Sequence, residues 1–302
     1  MVAGSLRWVP LFGSAVVVLG MGLVGCRKGP SPKAAAKIDA DQVIERMRTR
    51  PVPAGLQAKY KIRIEGPGAG GSTRGAMMVQ DPDHLRLEVL TPLRTPLLTV
   101  ASDGTSLHAW SQQHATFYRG DEAATVLAEV TSGAVNISDV VTLLTGGLPF
   151  PTAPVLATGG EEGGVELLLG GPDDTRMRAV VAPWRGFVRL LEVGKALTPG
   201  GLEMGPPILQ VEVLEAVRVG KYILPQELVI TLPTLGWTVE MSFTSWTVLD
   251  EVSPVFVLPA PKGAKQADLV ETLQEIGEKH KESGGTTAGA AVPAPSQREQ
   301  LE

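Results

Sequence analysis

Between Leu56 and Glu65 the chain reads Leu-Gln-Ala-Lys-Tyr-Lys-Ile-Arg-Ile-Glu, apolar at every even position and polar at every odd one. Alternation of this kind predicts a β-strand with one dry and one wet face, because successive side chains leave a pleated strand on opposite sides. The period returns in Leu85-Arg86-Leu87-Glu88-Val89-Leu90. Further strands are predicted over 76–80, 97–101, 106–110, 165–169, 176–182, 186–193, 208–214, 227–232 and 239–249, separated by turn residues such as Gly66 to Gly71 and Asp103-Gly104. Helical spacing is rarer. It predicts Ala40 to Arg50, capped by Asp39, with Val43, Ile44 and Met47 on one face and Pro51 and Pro53 ending it. It predicts Glu122 to Thr131 after an Asp121 cap, and Asp139 to Thr145 after a Ser138 cap, stopped at Gly146-Gly147. A last helix is expected over Lys265 to Lys281, with Leu269, Leu273 and Ile276 as a narrow stripe. The fold class is mainly β with a few helices: about eleven antiparallel strands that must curl or close, an incomplete half-open barrel with one helical excursion.

The N-terminus has its own pattern. Arg7 is the one charge before an apolar stretch, Val9 to Val24, that is shorter than the roughly 20 residues a spanning helix needs. Basic start, short apolar middle and small residues at the end predict a secretory leader over 1–25. Leu23-Val24-Gly25-Cys26 resembles the lipobox of bacterial lipoproteins, which implies acylation of Cys26, the single cysteine. Two or more acyl chains give stable anchoring where one does not. Arg27, where an Asp would signal inner-membrane retention in well-known sorting systems, points to the outer membrane. A tether is expected over 26–38, a folded domain over 39–260, and a helix with a disordered Gly/Ala/Pro/Gln tail over 261–302.

Composition narrows the function. A net charge of −5 argues against nucleic acid, and against anionic lipid surfaces as generic partners. The histidines His84, His108, His114 and His280 lack metal-pair spacing, and the glycine runs follow no phosphate-loop pattern. No Ser, His and acid stand in a recognisable nucleophile setting. The expectation is a protein without catalysis, metal or cofactor.

The order of elements, together with short motifs, resembles the LolB/LolA family of periplasmic lipoprotein carriers. The motifs are Gly75-Ala76-Met77-Met78-Val79-Gln80 with Leu85 to Val89, Thr91-Pro92-Leu93, Leu143-Leu144-Thr145-Gly146-Gly147-Leu148-Pro149, and Leu224-Pro225-Gln226-Glu227-Leu228 followed by Ser242-Phe243-Thr244-Ser245-Trp246. Phe256-Val257-Leu258-Pro259 is similar to the last LolA strand, whereas the 194–207 loop is longer than the family's, and Arg94 replaces a glycine. The resemblance implies a trough for acyl chains, lined by Tyr60, Ile62, Leu85, Leu87, Val89, Val211, Val213, Val239, Met241 and Phe243. Its lid would include Val126, Leu127, Val140, Leu143 and Leu144. Pro92, Leu93 and Arg94 would form a loop that hands cargo to the membrane. Implied partners are acyl chains of lipoproteins or lipids, a LolA-like periplasmic carrier, and the membrane through the anchor. Periodicity identifies a dry face without deciding whether it is a trough or a packed core. A filled core would make this a structural or interaction lipoprotein of the envelope. A carrier would not need residues 262–302.

Overall fold

A computed structural model describes residues 40–67, 69–149, 154–159, 164–171, 173–182, 186–250 and 255–283. The expected leader, Cys26, the expected tether, Asp39 and residues after 283 lie outside them. The described residues form one open 14-stranded sheet. Its strands are β1 (Gly55–Gly66), β2 (Ala69–Gln80), β3 (His84–Leu90), β4 (Pro96–Asp103), β5 (Leu107–Ser111), β6 (Thr116–Arg119), β7 (Pro154–Gly159), β8 (Val165–Gly170), β9 (Thr175–Ala182), β10 (Phe187–Lys195), β11 (Leu209–Val219), β12 (Tyr222–Leu232), β13 (Trp237–Leu249) and β14 (Lys265–Asp268). The helices are α1 (Ala40–Arg48), α2 (Ala123–Thr131), α3 (Ile137–Leu144) and α4 (Leu269–Ser283).

Spatial order is β14-β6-β5-β4-β3-β2-β1-β13-β12-β11-β10-β9-β8-β7. Two meanders thus meet where β1 pairs with β13, Tyr60 opposite Phe243 and Ile62 opposite Met241. All ladders are antiparallel except β14 on β6. Strands of the two edges, β14 and β7, do not pair with each other, so the sheet curls without closing.

Register carries one dry face across the whole sheet. From β1 it continues onto β2 through Ala58 opposite Met77, and onto β3 through Met77 opposite Leu87. In the other direction it runs through Leu228 opposite Met241, Val211 opposite Ile230, Leu191 opposite Val211 and Leu167 opposite Ala179. Helices α2, α3 and α4 cover the first half of this face, and α1 covers part of the second. Gly75 is fixed by this packing. The Tyr60 ring crosses it to donate to the Glu88 carbonyl at 3.1 Å, and a Cβ there would overlap both the ring and that carbonyl. Gly75→Ala is therefore expected to cost about 2–3 kcal/mol by overpacking, read as a lower urea midpoint at an unchanged slope.

The structure corrects several expected boundaries. Asn136 caps α3 rather than Ser138: its side chain accepts from the Asp139 N–H while Asp139 accepts from the Asn136 N–H. Asp121 does not cap α2; the helix starts after Glu122 without a side-chain cap, and Asp121 pairs with Arg119 at 3.2 Å. The helix expected from Lys265 begins as β14, because the exposed edge of β6 offers pairing partners. Before β14 the chain crosses the outer face. Arg86 Nη1 donates to the Val255 carbonyl at 2.9 Å, and the buried Phe256 ring meets His84 edge-on at 5.3 Å. Helix α4 then returns Leu269, Val270 and Leu273 to the inner face. The described part of 262–302 is thus built into the sheet and its cover.

Candidate functional site

Of the ten residues expected to line a trough, seven sit in a single apolar cluster: Tyr60, Ile62, Leu85, Leu87, Val239, Met241 and Phe243. Val211 belongs to a second cluster under α1, with Leu167, Ala179 and Leu191. Val89 and Val213 are half-buried and join neither. The expected lid residues meet the same surface: Val126, Leu127, Val140 and Leu144 pack on the first cluster, while Leu143 packs on the second, where Val140 also reaches. Phe243, wholly buried, forms the centre, its ring 6.2 Å from Tyr60 and 4.5 Å from Trp246. Burial of its hydroxyl, then the Glu88 charge, raises the Tyr60 pKa well above the ordinary tyrosine value, so the phenol stays neutral.

The cover is tied down by polar contacts that periodicity does not reveal. Arg50, beyond the end of α1, donates to the carbonyl of Thr145 at the C-terminus of α3. Burial lowers its pKa to about 10, with Asp81 acting in the opposite sense. It lies beside a pocket of about 280 Å³ between α1 and α3 that also touches Met47, Asp139, Thr142 and Leu148. Burial raises the Asp139 carboxyl above its ordinary range, opposed by the Asn136 N–H. Arg50→Ala is expected to free the end of α3. Hydrogen–deuterium exchange there should speed up about tenfold, corresponding to roughly 1.4 kcal/mol of a charged hydrogen bond.

The Thr91–Thr95 loop projects from the sheet. Thr91 N–H donates to the Thr95 carbonyl and Arg94 N–H to the Thr91 carbonyl, both at 2.8 Å, while the two threonine hydroxyls meet at 2.7 Å. Pro92 suits the second position of such a turn, and Arg94 follows with φ +65°, as in three-residue hairpin loops. The glycine expected at that place by resemblance is therefore explained by its backbone. Here arginine takes the left-handed conformation, at a cost of roughly 1–2 kcal/mol. Leu93 at the tip is 88% exposed, more than any other large apolar side chain described.

The histidines stand apart. His84 hydrogen-bonds Asp83 at 2.8 Å, His108 lies on β5 with Asp121 at 3.7 Å, and His114 sits in the β5–β6 turn. The side chain of His280 is outside the described set.

No protein-family model and no curated protein matches the sequence. Solved structures do match. A LolA superfamily protein from Nitrosomonas europaea superposes with a TM-score of 0.50 over 73% of this chain and 98% of its own, at 12% identity. The chain has the LolA-like fold. A DUF1329 family protein from Desulfovibrio piger gives a TM-score of 0.50 over 74% and 96%, at 8% identity. Within the LolA-like fold, β6, β7 and β14 are the strands that the sequence pattern did not reveal. Arg50 was also missed, since a single arginine between a helix end and Pro51 carries no pattern of its own.

Proposed function

We propose that this protein is a non-catalytic, acyl-chain-binding carrier of the cell envelope, anchored through an acylated Cys26 to the periplasmic face of the outer membrane. It would receive lipoproteins from a LolA-like periplasmic carrier and insert them into that membrane. One observation carries the reading: a dry sheet face covered by short helices, with an exposed leucine on a stiff loop at the rim. Helices α2 and α3 have only eight or nine residues each and lie over the face without pairing into it. Displacing them would expose an apolar surface on which an acyl chain gains about 0.8 kcal/mol per buried CH₂. The LolA-superfamily neighbour supports the fold on which this depends.

A second reading has its own support. Leu56, Phe243, Met77 and Val141 are at most 1% exposed, so the covered face is closely packed in this state. On that reading the protein is a structural or interaction lipoprotein. Binding of a fluorescent acyl probe to the purified protein, competed by a lipidated peptide, separates the two. Saturable one-site binding displaced by the peptide is expected. A folded protein that takes up no probe would leave the solid-core reading standing.

A further inference from the structure

The outer face of β1, β2 and β3 carries a feature that neither the fold nor the covered inner face requires. Lys61 on β1 stands directly opposite Arg74 on β2. Both side chains are exposed, and by the alternation of the strands both point away from the dry face. Like charges directly opposite in an antiparallel pair are destabilising. Lys59 lies one pleat along the same face of β1, and Arg94 leans in from the projecting loop.

These four cations line a groove of about 660 Å³ that also touches Thr91, Pro92 and Thr244, and its lining includes no carboxylate. The nearest acids on that face are already engaged. Glu88 pairs with Arg86 at 2.6 Å, and Glu65 and Glu240 flank Arg63 at 2.5 and 3.9 Å. Among the described residues none of Lys59, Lys61, Arg74 and Arg94 has an ion-pair partner.

The groove adjoins Leu93, the most exposed large apolar side chain described. Antiparallel register places the β10–β11 loop at the same end of the sheet as the β3–β4 loop. That loop carries Leu197 and Leu202, 59% and 48% exposed. Apolar tips beside uncompensated cations match the layering of a membrane surface, hydrocarbon below and phosphate above.

We infer that this end of the sheet docks on an anionic phospholipid surface, the Lys59/Lys61/Arg74/Arg94 groove taking lipid phosphate while Leu93 enters the acyl region. The overall charge of −5 hides this, because a sum over the chain does not register four cations that share one groove. The inference rests on the carrier reading only for its purpose; docking itself needs no cargo.

The test is flotation of the full chain with phosphatidylcholine vesicles and with vesicles containing phosphatidylglycerol, at low and high salt. Any leader or anchor contributes equally to both, so the anionic increment is the readout. A salt-sensitive increment is expected, falling about fivefold for each cation neutralised. Lys61→Glu should abolish most of it while leaving thermal stability equal or higher, since the new carboxylate faces Arg74. Arg74→Glu, facing Lys61, is the mirror control.

Equal binding to both vesicle types overturns the inference, as does an increment unchanged in both variants. So does complete suppression by millimolar inorganic phosphate of binding that vesicles do not otherwise enhance, which would identify a free-anion site. An acyl-probe failure with the increment intact removes the carrier role and keeps the docking face; the converse keeps the carrier and removes the face.

Discussion

Phe243→Ala is expected to cost about 3–5 kcal/mol, the range for removing a buried phenylalanine from a packed core. Phe243 is wholly buried at the β1–β13 seam, with Tyr60 at 6.2 Å and Trp246 at 4.5 Å. Loss of these ring contacts adds to the lost apolar area. In a domain of this size the melting temperature should fall by about 10 °C or more. The variant also discriminates between the two functional readings. If the covered face opens to acyl chains, truncation enlarges the space beneath α2 and α3, and an acyl ligand should restore part of the lost stability through linkage. If the face is a permanent core, added fatty acid will leave the melting temperature of both proteins unchanged. Calorimetry with and without ligand reads both results, and absence of any ligand effect would count against the carrier.

The contrast between what the sequence showed and what it hid has a consistent physical basis. β1 was legible almost to its ends because one face is buried and the other wet, so each side chain reports its side. Burial alternates along β8 as well, whereas β3 is half-buried on both sides apart from Leu85; the seven trough candidates that share the inner cluster were legible by their period. Strands at the margins were not legible. β6 has four residues, and β14 reads Lys-Gln-Ala-Asp, a sequence with good helix formers whose strand state is decided by the partner edge. β7 begins at Pro154, which fits an edge strand and weakens the pattern. The caps were misplaced by one or two residues because several polar residues compete at each helix start, and only geometry selects among them.

The cationic groove was hidden by a register effect. A turn over Gly66 to Gly71 would set Lys61 across from Ala76, where its charge has no neighbour. β2 instead begins at Ala69, which brings Arg74 opposite Lys61. Moving the β1–β2 register by two residues keeps the dry face dry, so apolar periodicity is blind to the change. It nevertheless decides which charges meet on the wet face. Net charge is blind to it as well, being a sum without positions.

Leu93→Glu is expected to abolish membrane handover while leaving the fold untouched. Leu93 is 88% exposed and contributes to neither apolar cluster, so its removal costs the folded state almost nothing. Surface substitutions of this kind fall within about 0.5 kcal/mol, and the melting temperature should stay within about 2 °C. Its loop is held by threonine contacts and by Pro92, none of which involves the leucine side chain. The functional side is different. A carboxylate in place of an apolar tip must stay at the headgroup level or be driven into hydrocarbon at a cost of several kcal/mol, enough to slow transfer of a labelled lipoprotein to vesicles by a hundredfold or more at about 1.4 kcal/mol per decade. Acyl-probe binding should be unaffected, because the tip lies outside the covered face. A drop in melting temperature would show instead that the loop supports the sheet. Undiminished transfer by a stable Leu93→Glu protein would remove the loop from the route by which cargo leaves.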